Sequence, residues 1–95
     1  MKSEKTSAAK HKAYLSKYIQ DLKSKSPCLD CKISYPYYVM DFDHVRGRKH
    51  KNVAELIDTL SKKKIDEEIA KCEIVCSNCH RIRTHDRLMK KKAVD

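Results

Sequence analysis

Two Cys-x-x-Cys pairs, Cys28/Cys31 and Cys76/Cys79, bracket the run Asp41-Phe42-Asp43-His44, and the second pair runs directly into His80. Four thiolates in two such pairs complete a tetrahedral zinc ion and leave it no open position, which is the chemistry of a structural site. A purely structural zinc module has no use for an Asp-His pair and a further His beside it. An imidazole is the natural general base for water. A carboxylate next to it can hold a hard divalent cation. Zinc as the staple, with a separate carboxylate–imidazole cluster beside it, points to metal-assisted hydrolysis of a phosphodiester.

Each member of this set has a plainer reading against which it is weighed. Cys-x-x-Cys is also an oxidoreductase signature, but two copies in a basic chain with one glycine favour metal. Cys72 lies four residues before Cys76, lacks a partner at knuckle spacing, and reads as a spare thiol. On a strand, Asp41 and Asp43 share one face while Phe42 and His44 share the other. Phe42 then goes to the core, and the turn that follows brings His44 toward the site. His80 sits in the first turn of the last helix, where the knuckle fixes its backbone, and rigid support is what a metal ligand requires. With four cysteines on the zinc, His80 is free for a second ion; the competing assignment lets it replace a cysteine. His11 and His50 read as surface residues, His50 within a basic loop that can touch phosphate. His85 follows His80 by five residues and faces the same way only loosely.

The bulk numbers agree with a stapled module. Ninety-five residues make one small domain, with 40% hydrophobic and 37% charged residues and no Trp. Such a core is thin, and chains of this size often add a metal. Structural zinc contributes roughly 10 kcal/mol or more in small zinc modules. The N-terminal residues are charged and polar, unlike a signal peptide, and no stretch is long enough to span a bilayer. These features predict a cytoplasmic protein with reduced thiols and no membrane partner. Net charge is +9, from 22 Lys and Arg against 13 Asp and Glu. An excess of this size predicts a polyanionic partner. Arg46, Arg48, Lys49, Arg81, Arg83 and Arg87 are the candidate nucleic-acid contacts.

The elements that must position these groups can be read from periodicity. Residues from about Thr6 to Lys25 read as an amphipathic helix, with Ala8, Leu15, Tyr18, Ile19 and Leu22 at helical spacing. Ser26-Pro27 ends it. Tyr37 to His44 reads as a strand, and Gly47 sits in a basic turn. Val53, Leu56, Ile57 and Leu60 make one helical face, with Asn52 as its cap. Lys62 to Lys64 reads as a connector, and Ile65 to Lys71 as a short helix with Asp66, Glu67 and Glu68 near its start. Glu73 to Cys76 is extended. Ser77 or Asn78 caps a last helix from Cys79 to about Lys91, frayed beyond Met89. The organisation is a basic N-terminal helix over residues 1–25 and a zinc-stapled unit over 26–95.

Four segments together resemble one family: Pro27-Cys-x-x-Cys31, Tyr-Val-Met-Asp-Phe-Asp-His44, Glu68-Ile-Ala-Lys-Cys-Glu-Ile-Val-Cys76, and Ser77-Asn-Cys-His-Arg-Ile-Arg-Thr84. The chain resembles the HNH endonucleases, in particular the small phage or bacterial type with four zinc-binding cysteines. The resemblance runs from Ser26 to Thr84. It implies an α+β fold built on a ββα-metal unit, also called the His-Me finger, with the N-terminal helix as an addition. It implies a DNA endonuclease in which His44 is the general base, and Asp43 and His80 hold one catalytic divalent ion, Mg, Mn or Ni. The middle N of the motif falls on Asn52, with Asn78 as the alternative. Implied partners are DNA, a second copy of the chain, or a phage or restriction complex, in a bacterial or phage-infected cell. The rival from another class is a zinc-ribbon-like nucleic-acid-binding module without catalysis. That rival accounts for the cysteines and the charge but not for Asp43, His44 and His80.

Overall fold

Leu15 and Ile19 lie four residues apart on one stripe of the N-terminal helix, and they are the residues of that helix the fold buries. A computed structural model describes residues 7–94. Helix α1 spans Ser7–Lys25, strand β1 Met40–His44, helix α2 Lys62–Ile69, strand β2 Cys72–Cys76 and helix α3 Ser77–Val94. Short 3-10 turns cover Tyr37–Val39 and Val53–Thr59. The two strands form one antiparallel sheet, with Met40 opposite Cys76, Phe42 opposite Ile74 and His44 opposite Cys72. The chain is thus a small α+β protein. No helix among the described residues is long and apolar enough to cross a membrane.

Two apolar clusters flank the sheet. The first joins Leu15 and Ile19 of α1 to Val53, Leu56 and Ile65, with Phe42 and Cys72 packed against it. The second joins Cys28, Met40, Val75 and Cys76, with Tyr35, Val39, Ile74 and Cys79 around it. Helix α1 therefore completes a core that the rest of the chain leaves open. A short bond of 2.5 Å from the Tyr18 hydroxyl to Asp66 Oδ1 fastens α1 to α2.

Several boundaries differ from those the sequence predicts, each for a local reason. The strand starts at Met40 rather than Tyr37. Val39 N–H donates to Pro36 O across a turn, and the partner strand ends at Cys76, so residues before Met40 have no strand to pair with. The face from Val53 forms a 3-10 turn rather than an α-helix. Asn52 does sit at its start, its N–H donating to Glu55 Oε1 at 2.9 Å. Helix α2 begins at Lys62 because the Ser61 hydroxyl accepts from Lys64 N–H at 3.2 Å. The lysines read as a connector are its first turn, and Glu68 lies near its end rather than its beginning. Helix α3 starts at Ser77 directly after β2 and continues to Val94, past the predicted fraying point.

Leu15 is fully buried and belongs to the cluster that unites α1 with the rest of the chain. Leu15→Ala is expected to cost about 2–4 kcal/mol of stability, the usual penalty for emptying a buried leucine site. Urea denaturation of the zinc-loaded protein would measure it, and a negligible loss would show that α1 is not part of the core.

Candidate functional site

The four cysteines predicted as a set do converge. One sulfur from each of Cys28, Cys31, Cys76 and Cys79 lies within 4.8 Å of the others, close enough to hold a metal ion such as zinc. Tetrahedral zinc–thiolate bonds of about 2.3 Å place sulfurs about 3.8 Å apart, so the cluster fits. Each knuckle also turns a backbone N–H onto its first sulfur: Cys31 N to Cys28 Sγ at 3.5 Å, and Cys79 N to Cys76 Sγ at 3.4 Å. Burial raises the Cys28 thiol, but backbone N–H groups of Cys31, Cys76 and Asp30 outweigh it and pull it down to about 6. Hydrogen bonding to Cys76, together with burial, pushes Cys79 up to about 12. Four acids in one small volume cannot all ionise unaided, and a dication relieves that conflict. Among the described residues this is the one group of three or more potential ligands within such reach of one another. Cys72 stands outside it, donating to Glu68 O at 3.3 Å, its thiol pushed up to about 11 by burial.

His80 follows the second knuckle into the first turn of α3, and the sheet register sets its neighbours. Asp41 and Asp43 both project toward α3, as strand alternation requires. His80 Nδ1 lies 3.0 Å from Asp41 Oδ2, and its Nε2 lies 3.5 Å from Asp43 Oδ1. A carboxylate accepts, so the Nδ1–H points at Asp41, while Nε2 faces the second carboxylate, Asp43. A ligating histidine held by a carboxylate on its second nitrogen is the usual arrangement in metal sites.

Asp43 is buried and carries a dense set of partners. Arg87 grips both oxygens at 3.0 and 2.7 Å, and Arg83 Nη1 reaches Oδ2 at 2.8 Å. Burial raises the Asp43 carboxyl, but Arg87 and Arg83 outweigh it and hold it at about 2. Arg83 is also forked onto Asp30, with two bonds of 2.7 Å, and lies 2.9 Å from Glu73. Its guanidinium is thus taken up inside the protein, whereas Arg87 is half exposed. Oδ1 of Asp43 has one donor and Oδ2 has two, which leaves acceptor capacity on the oxygen that faces His80.

His44 occupies the other side of β1. Its Nε2 lies 2.9 Å from Glu68 Oε2, and Glu68 is almost fully buried. The same oxygen accepts from His50 N–H at 2.9 Å, and Lys71 Nζ donates to Oε1 at 3.0 Å. Burial raises the Glu68 carboxyl, and the His50 N–H, Lys71 and His44 together bring it down to about 2. His44, His80, Asp41, Asn52 and Lys23 line one open cleft of about 320 Å³. Asn52 is therefore beside both histidines, whereas Asn78 is exposed at the start of α3 and does not line the cleft. An apolar groove of about 410 Å³ on α1, between Tyr14, Tyr18 and Leu22, contains neither His nor Cys and carries no comparable chemistry.

None of the remaining predicted contacts lines this cleft. Arg46 bonds Ala70 O at 2.6 Å and lies 3.6 Å from Glu73. Arg48 and Lys49 are exposed and line a basic hollow with His50 and Lys71. Arg81 and His85 are exposed on α3. His11 Nε2 donates to Leu60 O at 3.0 Å and does not line the cleft.

Glu68 is the functional candidate that sequence reasoning missed. A helix begun at Lys62 puts Ile65, Glu68 and Ile69 on one stripe, and an acid on the buried stripe of a helix is the signal that marks it. No protein-family model, curated protein or solved structure matches this chain.

Atomic absorption of the purified protein is expected to find about one zinc per chain. Cys28→Ser should lose that zinc and much of the fold, and Cys72→Ser should keep both. Equal zinc retention in Cys28→Ser would remove the cysteine cluster from the account.

Proposed function

We propose that this chain is a divalent-ion-dependent DNA endonuclease of HNH type, stapled by structural zinc. The observation that carries the reading is that His80, which lines one cleft with His44, has its Nε2 3.5 Å from the buried Asp43 behind it. Two ligands each about 2.1 Å from one divalent ion lie about 3.0–3.4 Å apart at ordinary coordination angles. The 3.5 Å separation of Asp43 and His80 lies just beyond that span. The local charge leaves room for a cation as well. Asp30, Asp43 and Glu73 meet Arg83, Asp43 also meets Arg87, Arg46 reaches Glu73, and Asp41 pairs with His80 rather than with an arginine.

In this reading Asp43 and His80 hold the ion, and Asp41 keeps the His80 ring oriented. The ion supplies Lewis-acid stabilisation of the charge that builds on the phosphate and on the leaving 3′ oxygen. His44 takes a proton from water lined up opposite that leaving group. Arg87, half exposed, can turn from Asp43 to an adjacent phosphate, a task suited to the guanidinium fork. The zinc at the cysteines does no chemistry, because four thiolates leave it closed. Most DNA affinity then comes from phosphate contacts by Arg48, Lys49, Arg81 and their neighbours, and it falls steeply with salt.

The test is cleavage of supercoiled plasmid with added Mg or Mn, comparing wild type and His44→Ala at equal zinc content. Wild type should nick the plasmid only with the added ion. His44→Ala should be slower by about 100-fold or more, the usual worth of a positioned general base. A wild type that binds plasmid but leaves it intact under every divalent ion would replace the enzyme with a zinc-stapled binding module.

A further inference from the structure

We infer that Glu68 is the positioning residue for His44: it fixes the imidazole as the Nε2–H tautomer and leaves Nδ1 as the nitrogen offered to the cleft. The role assigned to His44 rests on the nuclease reading, but the ring geometry does not. His44 Nε2 faces a buried carboxylate at 2.9 Å, while the ring itself lines the cleft that contains His80 and Asn52. Every other group that meets Glu68 is a donor, namely His50 N–H and Lys71 Nζ. With donors converging on it, the carboxylate is an acceptor only, so the imidazole must present N–H to it. The proton assignment of His44 is thereby dictated from α2, outside the strand that carries the histidine.

The arrangement mirrors the one at His80 with the nitrogens exchanged. Asp41 takes the Nδ1 side of His80 and frees Nε2 toward Asp43. Glu68 takes the Nε2 side of His44 and frees Nδ1. One ring is thus prepared as a ligand and the other as a base. A carboxylate behind an imidazole also stabilises the positive ring that forms once the proton has been taken up, and it does so without itself being protonated. Glu68 has a second attachment through the His50 N–H and Lys71, which anchors the basic loop after β1. That attachment keeps the carboxylate from following the ring if the ring moves.

Long-range proton–nitrogen correlation NMR on the zinc-loaded wild type reads the His44 ring directly, without DNA and without any divalent ion added. In mildly alkaline solution His44 should show a single Nε2–H tautomer, its signals identified by their loss in His44→Ala. An Nδ1–H form, an averaged pair of tautomers, or a ring protonated on both nitrogens would overturn the inference. Glu68→Gln keeps the side chain's shape but offers a donor as well as an acceptor, so it no longer dictates the tautomer. In that variant the His44 signals should report mixed tautomers. The kcat for plasmid nicking should fall about 10–100-fold, as for loss of other orienting carboxylates, with KM little changed. A Glu68→Gln protein with wild-type His44 signals and wild-type kcat would equally overturn it. Should this variant fail to fold, the wild-type tautomer decides alone. A wild type with the expected tautomer and no cleavage would retire the nuclease and leave the Glu68–His44 geometry standing.

Discussion

Met40 pairs with Cys76 across a two-stranded sheet, and that register determines where each charged side chain of the site falls. It draws the two knuckles to the same end of the sheet, where their four sulfurs meet. It also sends Asp41 and Asp43 toward α3, and His44 toward α2. A slip of one residue would exchange these faces, placing Phe42 against the arginines and Asp43 against the apolar cluster of α1. Five residues per strand are too few to hold a register by pairing alone, since an isolated two-stranded ribbon is marginal in water. The cysteine cluster at one end and the packing of α1 and α2 at the other supply what the sheet lacks.

Within that frame the site is organised by paired charges. A buried carboxylate without partners is costly, and Asp43 is tolerated because two guanidiniums meet it. Those arginines come from α3, the helix that also carries His80, so one rigid element brings both the imidazole and the counter-charges to β1. Glu68 is tolerated in the same way, by Lys71 and a backbone N–H, and its remaining capacity goes to His44. The two histidines of the cleft are therefore each backed by a carboxylate from a different element. The two faces of β1 therefore differ chemically: one sets Asp41 and Asp43 against His80, and the other sets His44 against Glu68.

Much of this was legible in the residues. The spacing of Cys28, Cys31, Cys76 and Cys79 carries the sulfur cluster, because a two-residue gap lets both thiolates of a knuckle face one point. The alternation of Asp41, Phe42, Asp43 and His44 carries the division of faces. Helix α1 was legible from its apolar stripe, although burial of Leu15 and Ile19 in a shared core depends on partners distant in sequence. The Tyr37–Val39 turn was not legible, since aromatic and β-branched residues favour a strand wherever a partner exists, and here none does. The start of α2 was missed because three consecutive lysines look like a linker, while the Ser61 cap makes them a first turn. That single error hid Glu68. The engagement of Arg83 with Asp30, Asp43 and Glu73 was also invisible, because those acids are brought together only by the fold.

The central claim is that Asp43 and His80 form a cation site separate from the cysteine cluster. Adding Mn in substoichiometric amounts to isotope-labelled, zinc-loaded protein tests it, because the paramagnetic ion broadens the amide signals nearest to where it binds. The account predicts that signals of Asp43 and His80 and their immediate neighbours broaden first, and that Asp43→Asn abolishes this while zinc content stays unchanged. Broadening confined to exposed acids elsewhere, or a pattern at His80 that survives Asp43→Asn unaltered, would contradict it.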